Sequence, residues 1–597
     1  AEGILKKPGE NATYVEIPLN GAKYLKLYID DNRGNGNDHS AFGDAKFVNS
    51  LDNNFVLDSV EDYDNEIKTR FPNQTEITEE LELLLLKKEL VKNVGQYTIN
   101  SFYNTSQENE NTINWLMNNP DALRYYILGG KPDGGSYFNS LTQLTRLYTK
   151  YKNDFLLTSQ TAYGTVYGDL YLRMAITLSL THSQRVALWM QPGAKENQSD
   201  AVTRYQIFKD LHKNNKFRLN ANLDVTKWFE SYNIEEMRFV MNNAIDDEEI
   251  LWLNEYVQYK IDTEPNKAWI TPHPHMAYVW PNYGNPVYYD DANYDYFNDL
   301  FSVNGKKLYD YGITRGTNDY KLYKLWMNFR NKFGTGAVCG GISKSGSNIR
   351  ATHGIPATVI GQPGHAALLY YSEDAQGRGY WGIDNDVSGW TLSEKSERLL
   401  LGWGNASYAR GSYQVVYMAL AQEALNDYDN LKQAEEMLML ARTYSNDEVK
   451  QEALIRKAIE IQPINIDAWY GLITLYNNSN NKTENDYYNL AEELAENLKY
   501  FPLPMYHLTN LIKPKLTSVE NSYKFTLLQG RILNEAKNTP NNTTDTYYVY
   551  QPSLTRLEAN FLLGKVDTSI ASFSFDGADA GKIVLSSRFD GNGVRWD

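Results

Sequence analysis

One cysteine stands in 597 residues. A single thiol excludes an internal disulfide framework and any Cys-rich zinc module. Histidine is scarce too, at 8 residues. No HExxH metalloprotease pattern and no GxxxxGK[ST] phosphate loop occurs. No apolar run reaches the ~18–20 residues that span a bilayer. The longest candidate, Leu170 to Leu180, carries Arg173 in its middle and reads as a buried helix. Basic residues are outnumbered, 58 Lys and Arg against 74 Asp and Glu, for a net charge of -16. That balance argues against a nucleic-acid partner, because phosphate binding needs clustered Lys and Arg.

What is present is the material of large cores. Hydrophobic residues make up 42% and aromatics 13%, with 46 Tyr. Single cores stop growing near ~250–300 residues, so a chain of this length should divide into several domains. The expected fold class is multidomain α+β. Residues 50–310 read as mainly helical, with Thr78 as an N-cap before "LELLLLKKELVKNV" and 3.6-residue periodicity beyond it. An aromatic, Pro-rich stretch then holds His273 and His275, one proline apart. Metal sites need three or four ligands, so this pair reads as part of a packed loop whose Trp and Tyr could line a groove. Residues 410–566 read as helical hairpins, and 567–597 as the start of a truncated β domain with Asp-Gly turns.

The lone thiol opens the most informative segment. Cys339, in the run Gly336 to Gly341, begins a stretch that reads as a helix to about Thr352, closed by Gly354. Strands are expected at Ile355 to Ile360, His365 to Tyr371 and Tyr380 to Asp384. This order has a chemical rationale. A helix N-terminus lowers a thiol pKa through its dipole and unpaired amides. An imidazole deprotonates the thiol and later protonates a leaving amine, and a carboxylate fixes its tautomer. Neighbouring glycines let a substrate carbonyl approach the backbone closely. If the second and third strands close on Tyr371 and Tyr380, His365 lies opposite Asp386 and diagonal to Asp384. A two-residue change places it opposite Asp384. Both aspartates then share the histidine's face and Asn385 points away.

The segment resembles the core of the transglutaminase-like superfamily. Cys339, then Gly354-Ile355-Pro356-Ala357, then His365-Ala366, then Trp381 with Asp384, follow that family's ordered elements. The resemblance spans about 55 residues, within 311–409. It implies a transglutaminase/papain-like core, a helix plus an antiparallel sheet. It also implies a catalytic triad of Cys339, His365 and Asp384, with Asp386 in reserve. Two departures stand out: Ala367 occupies a position that is usually aromatic, and the helix is rich in Gly and Ser, poor helix formers. The second oxyanion donor stays open among Trp326, Gln362 and Trp269. His353 reads as a capping or packing residue, and His39 and His507 join no constellation.

Two further resemblances frame the core. "LNGAKYLKLYIDD" with "GNGNDHSAFGDAKF", in residues 1–49, resembles the C-terminal strands of NPCBM carbohydrate-binding modules. It implies a modular, secreted or cell-surface, glycan-facing parent, and both ends of the chain read as cut from a larger architecture. "ALIRKAIEIQPINIDAWYGL" (Ala453 to Leu472) resembles a tetratricopeptide repeat. The expected function is a secreted, thiol-dependent acyl-transfer enzyme acting on peptide or carboxamide bonds, a cysteine peptidase or amidase. Its substrates would be proteins or peptides, glycoproteins or glycan-associated proteins among them. The alternatives are a Gln–Lys cross-linking transglutaminase and a non-catalytic adhesion or scaffold protein with a degenerate core. Glycoside hydrolysis ranks last, since no acidic pair is marked by spacing. The chemistry requires no cofactor, and structural calcium is not indicated.

Overall fold

The computed structural model of the chain describes residues 57–184, 199–245, 247–274, 339–362, 365–385, 398–404, 414–499, 501–537, 587–589 and 594–596. The chain divides into two units, Ala1–Asn54 and Phe55–Asp597. The NPCBM-like stretch, His39, His275, Trp326 and Asp386 lie outside the described residues.

Residues 57–274 are helical where described, and polar caps set most helix starts. The helices are α1 (Val60–Arg70), α2 (Glu79–Val94), α3 (Gln96–Tyr103), α4 (Gln107–Met117), α5 (Pro120–Leu128), α6 (Tyr137–Tyr151), α7 (Tyr167–Thr181), α8 (Ala201–Lys213), α9 (Thr226–Ser231), α10 (Ile234–Met241) and α11 (Asp247–Thr263). Thr78 caps α2 as expected, its hydroxyl accepting from the Leu81 amide. Asn233 caps α10 reciprocally with Glu236.

The apolar run with an arginine inside it is α7, buried along almost its whole length. Arg173 is tolerated there because its donors are used. The guanidinium donates to the carbonyls of Tyr232 and Glu230, the latter at 2.9 Å, and pairs with Asp169.

The cysteine segment forms α12 (Cys339–Thr352), followed by β1 (Ala357–Gln362), β2 (His365–Glu373) and β3 (Gly379–Asp384). Gly354 takes φ 72°, the left-handed conformation that ends α12. The strands form one antiparallel sheet in the order β1-β2-β3. One face carries α12. Ser343 and Ser347 donate to the carbonyls of Ala366 and Ala357, and the Arg350 guanidinium lies 3.8 Å over the Tyr370 ring. The other face is aromatic, with Tyr371 edge-on to Trp228 and Tyr232, and Trp381 against Phe239.

Helices resume with α13 (Gln414–Leu425), α14 (Tyr428–Thr443), α15 (Glu448–Ile461), α16 (Ile466–Asn478), α17 (Glu484–Asn497), α18 (Pro502–Ile512) and α19 (Val519–Lys537). The expected helix, Pro turn and helix are α15, the turn at Pro463, and α16. Trp469 is fully buried and its indole donates 2.8 Å back to the Pro463 carbonyl. Near the end of the chain, β4 (Ser587–Phe589) pairs antiparallel with β5 (Val594–Trp596).

Buried side chains from Leu57 to Leu528 form one continuous apolar cluster, so the small sheet is embedded among helices. The coarse class is therefore mostly helical α+β with a three-stranded antiparallel sheet.

Candidate functional site

Cys339 is the first residue of α12 and is partly exposed. A Cβ built on Gly340 would meet no atom within 4 Å, so packing does not demand this glycine. The glycine-rich helix is held by its surroundings. Asn254, from α11, donates 2.8 Å to the Thr352 carbonyl at its end. His353, just beyond, is fully buried, and desolvation pushes its pKa down to about 3. It is a packed neutral imidazole, as its place at the helix end suggests.

The register of the sheet corrects one expectation. Tyr371 pairs with Trp381, and Leu368 with Asp384. In this register Asp384 falls opposite Leu368, and His365 lies beyond the described pairs of β2 and β3. Alternation then puts Asn385 in the parity of His365, and Asp384 in that of Leu368 and Tyr370. A shift of one residue in pairing exchanges the faces, and the length of the polar turn between Glu373 and Gly379 sets that shift.

The consequence is visible in the bonds. Asp384 does not hydrogen-bond His365. Its Oδ1 accepts from the Asn385 amide at 2.7 Å and from His273 Nε2 at 3.1 Å, while its buried Oδ2 has no hydrogen-bond partner. His365 Nε2 instead lies 2.6 Å from the Asn385 carbonyl. A carbonyl only accepts, so Nε2 carries a proton, and in the neutral ring the lone pair is on Nδ1. A backbone oxygen thereby fixes the tautomer, the task expected of a carboxylate.

Asn385 is the hub that sequence reading turned the wrong way. It adopts φ 54°, a left-handed conformation that Asn tolerates better than most residues. Its side-chain nitrogen lies 3.1 Å from the Cys339 carbonyl, 2.8 Å from Ser343 Oγ and 3.2 Å from the Ala366 carbonyl. One amide thus ties the start of α12 to the start of β2. Its signal in the sequence was faint: an Asn at a strand end, where a left-handed turn is called for. His273, 111 positions from Asp384, gave no sequence signal of that pairing.

Trp269 is removed as an oxyanion donor, because its indole N–H donates 2.8 Å to the Glu264 carbonyl. Gln362 sits at the end of β1, paired with His365.

Behind the sheet, Trp381 donates 2.9 Å to Gln422 Oε1, and Gln422 donates 2.8 Å to Glu236 Oε1. Burial pushes Glu236 up to about 7. On the α12 face, burial lowers Arg350 to about 10, with Tyr370 and Asp384 opposing that shift. Among the described residues, no group of three or more His, Cys, Asp or Glu could hold a metal ion. No described helix is long and apolar enough to cross a membrane.

Compared with known proteins, the chain matches no family model, no curated protein and no solved structure.

Proposed function

We propose that the chain is a thiol-dependent acyl-transfer enzyme acting on peptide or carboxamide bonds, with Cys339 as nucleophile and His365 as acid and base. The observation that carries this reading is the Asn385 hub. Its side chain holds the Cys339 and Ala366 carbonyls, and its own carbonyl fixes the His365 ring. The helix opening at Cys339 followed by an antiparallel sheet is also the arrangement that the transglutaminase-like resemblance implies.

In the proposed reaction His365 Nδ1 takes the thiol proton as Sγ attacks the carbonyl carbon. The helix N-terminus stabilises the thiolate. The C–N bond then breaks, and the imidazolium gives its proton to the departing amine. Water releases the acid from the thioester in a peptidase or amidase, and a lysine amine takes the acyl group in a cross-linker. The third member of the triad, in this reading, is the Asn385 carbonyl rather than the Asp384 carboxylate. A secreted or cell-surface setting with protein or glycoprotein substrates belongs to the same proposal. The rival reading, a scaffold with a degenerate core, draws on the engagement of Asp384 with His273 instead of His365.

Alkylation of Cys339 by iodoacetamide, followed by intact mass from pH 4 to 9, separates the two readings. The enzyme reading expects rapid labelling below pH 7 that is lost in His365→Ala. An ordinary thiol profile, the same in both proteins, would sink it.

A further inference from the structure

Three side chains form a relay toward the start of α12. His273 stands on the loop after α11 and is half-exposed, with 51% of its side chain accessible. Its Nε2 meets Asp384 Oδ1 at 3.1 Å. The same Oδ1 accepts the Asn385 amide at 2.7 Å. Asn385 in turn holds the Cys339 carbonyl, the Ser343 hydroxyl and the Ala366 carbonyl, and orients His365. The loop is seated next to α12: a Cβ on Gly346 would come within 3.0 Å of Pro272 Cδ.

Asn385 needs such support. Its φ is left-handed, outside the strand conformation, and it follows the last paired residue of β3. No strand pairing fixes it. What fixes its amide is the Asp384 carboxylate, and the buried Oδ2 of that carboxylate has no hydrogen bond of its own. The donor supplied from outside the strand is His273.

We infer that His273 is a positioning residue for the Cys339–His365 pair, acting through Asp384 and Asn385. The inference rests on the acyl-transfer reading for its chemical meaning, and on the hydrogen bonds alone for its structural content. His273 touches no reacting atom in this role. It holds the carboxylate that holds the strand end, so that the imidazole of His365 keeps its tautomer and the start of α12 keeps its place.

The test compares His273→Ala, His273→Asn and His273→Gln with the wild-type chain. The site is half-exposed, so these changes do not open a core. Glutamine is long enough to carry a donor to Asp384, and asparagine is not. Two readouts are taken. The first is the Cys339 alkylation rate across pH. Alanine and asparagine are expected to lower the neutral-pH rate about tenfold, the scale of losing one hydrogen bond to a charged group, and glutamine to restore most of it. The second is the ring-nitrogen NMR signature of His365 in histidine-labelled protein. Wild type and His273→Gln should show the Nε2–H tautomer, and the other two a mixture.

The inference is overturned if His273→Ala leaves the His365 tautomer as in wild type, or if glutamine behaves like alanine. An ordinary thiol pH profile in the wild type would defeat the acyl-transfer reading alone. The tautomer readout would still decide the positioning role.

Discussion

Helices α12 and α16 are nearly equal in length, 14 and 13 residues, yet they form for opposite reasons. In α16 local chemistry and tertiary packing agree. Asn465 caps it with bonds to the amides of Asp467 and Ala468, Asp467 stands in the first turn, and Ile466, Trp469, Leu472, Ile473 and Tyr476 bury one stripe. In α12 they conflict. Three glycines and three serines stand among its residues, its first turn has no acidic residue, and its buried set includes Ser345, Asn348 and Arg350. Ser345 Oγ, Asn348 Oδ1 and Arg350 Nε are buried with no hydrogen-bond partner. A helix of this composition exists only because a sheet lies on one side and other helices on the other. Conflict between levels of this kind is expected at functional or strained sites and is rare where stability is the only task.

The largest expected effect tests the agreeing side. Trp469→Ala removes a fully buried indole and should cost about 3–5 kcal/mol in urea unfolding. Its effect on Cys339 labelling per folded molecule should be small, because the loss lies away from the sheet.

The next prediction addresses the back of the site. Burial raises Glu236 from the ordinary 4.5 to about 7. The folded value lies above the unfolded one. Its contribution is therefore complete below about 4.5 and is lost as pH rises through about 7. Glu236→Gln should flatten that fall, by about 3 kcal/mol between the two limits. Denaturation midpoints measured from pH 4 to 8 would show it, and an unchanged slope would rule it out.

A paired substitution then sharpens the comparison of helices directly. Gly346→Ala in α12 gains helix propensity of about 1 kcal/mol. Its Cβ, however, would lie 2.6 Å from Leu368 Cδ2 and 3.0 Å from Pro272 Cδ. Overpacking should win, for a net loss of about 1–3 kcal/mol. In α16, Gly471→Ala meets only Ile455 Cδ1, at 3.9 Å. There propensity acts alone, and the smallest effect of the set is a gain of about 1 kcal/mol. The same chemical change should carry opposite signs in the two helices. Equal signs in thermal melts would break the contrast.

The sequence disclosed what local rules determine. Thr78 announced α2, the Pro turn announced α15 and α16, and Cys339 with Gly354 bracketed α12 to the residue. Strand order in the sheet followed from polar turns between apolar runs. The pairing register did not follow, because it depends on how many residues the Glu373–Gly379 turn consumes, and no single residue there dictates that number. With the register went the identity of the group beside His365. The His273–Asp384 contact was illegible for a different reason: it joins segments distant in sequence, and only the packed fold brings them together. Arg173 shows the converse case. An arginine in an apolar run marked a buried helix, but the carbonyls that satisfy it came from the end of α9 and the residue that follows it.

Asn385 also sets the tolerance of the site to a change of one atom. Its Nδ2 faces two carbonyl oxygens and a hydroxyl. Aspartate is the same size and shape, but it would put a second acceptor where a donor stands. Two of the three contacts would turn from attraction to repulsion, with no change in volume. Deamidation of this side chain would therefore undo the hub through the covalent chemistry of the chain itself. The thiol would remain intact while the tie between the start of α12 and the start of β2 was lost.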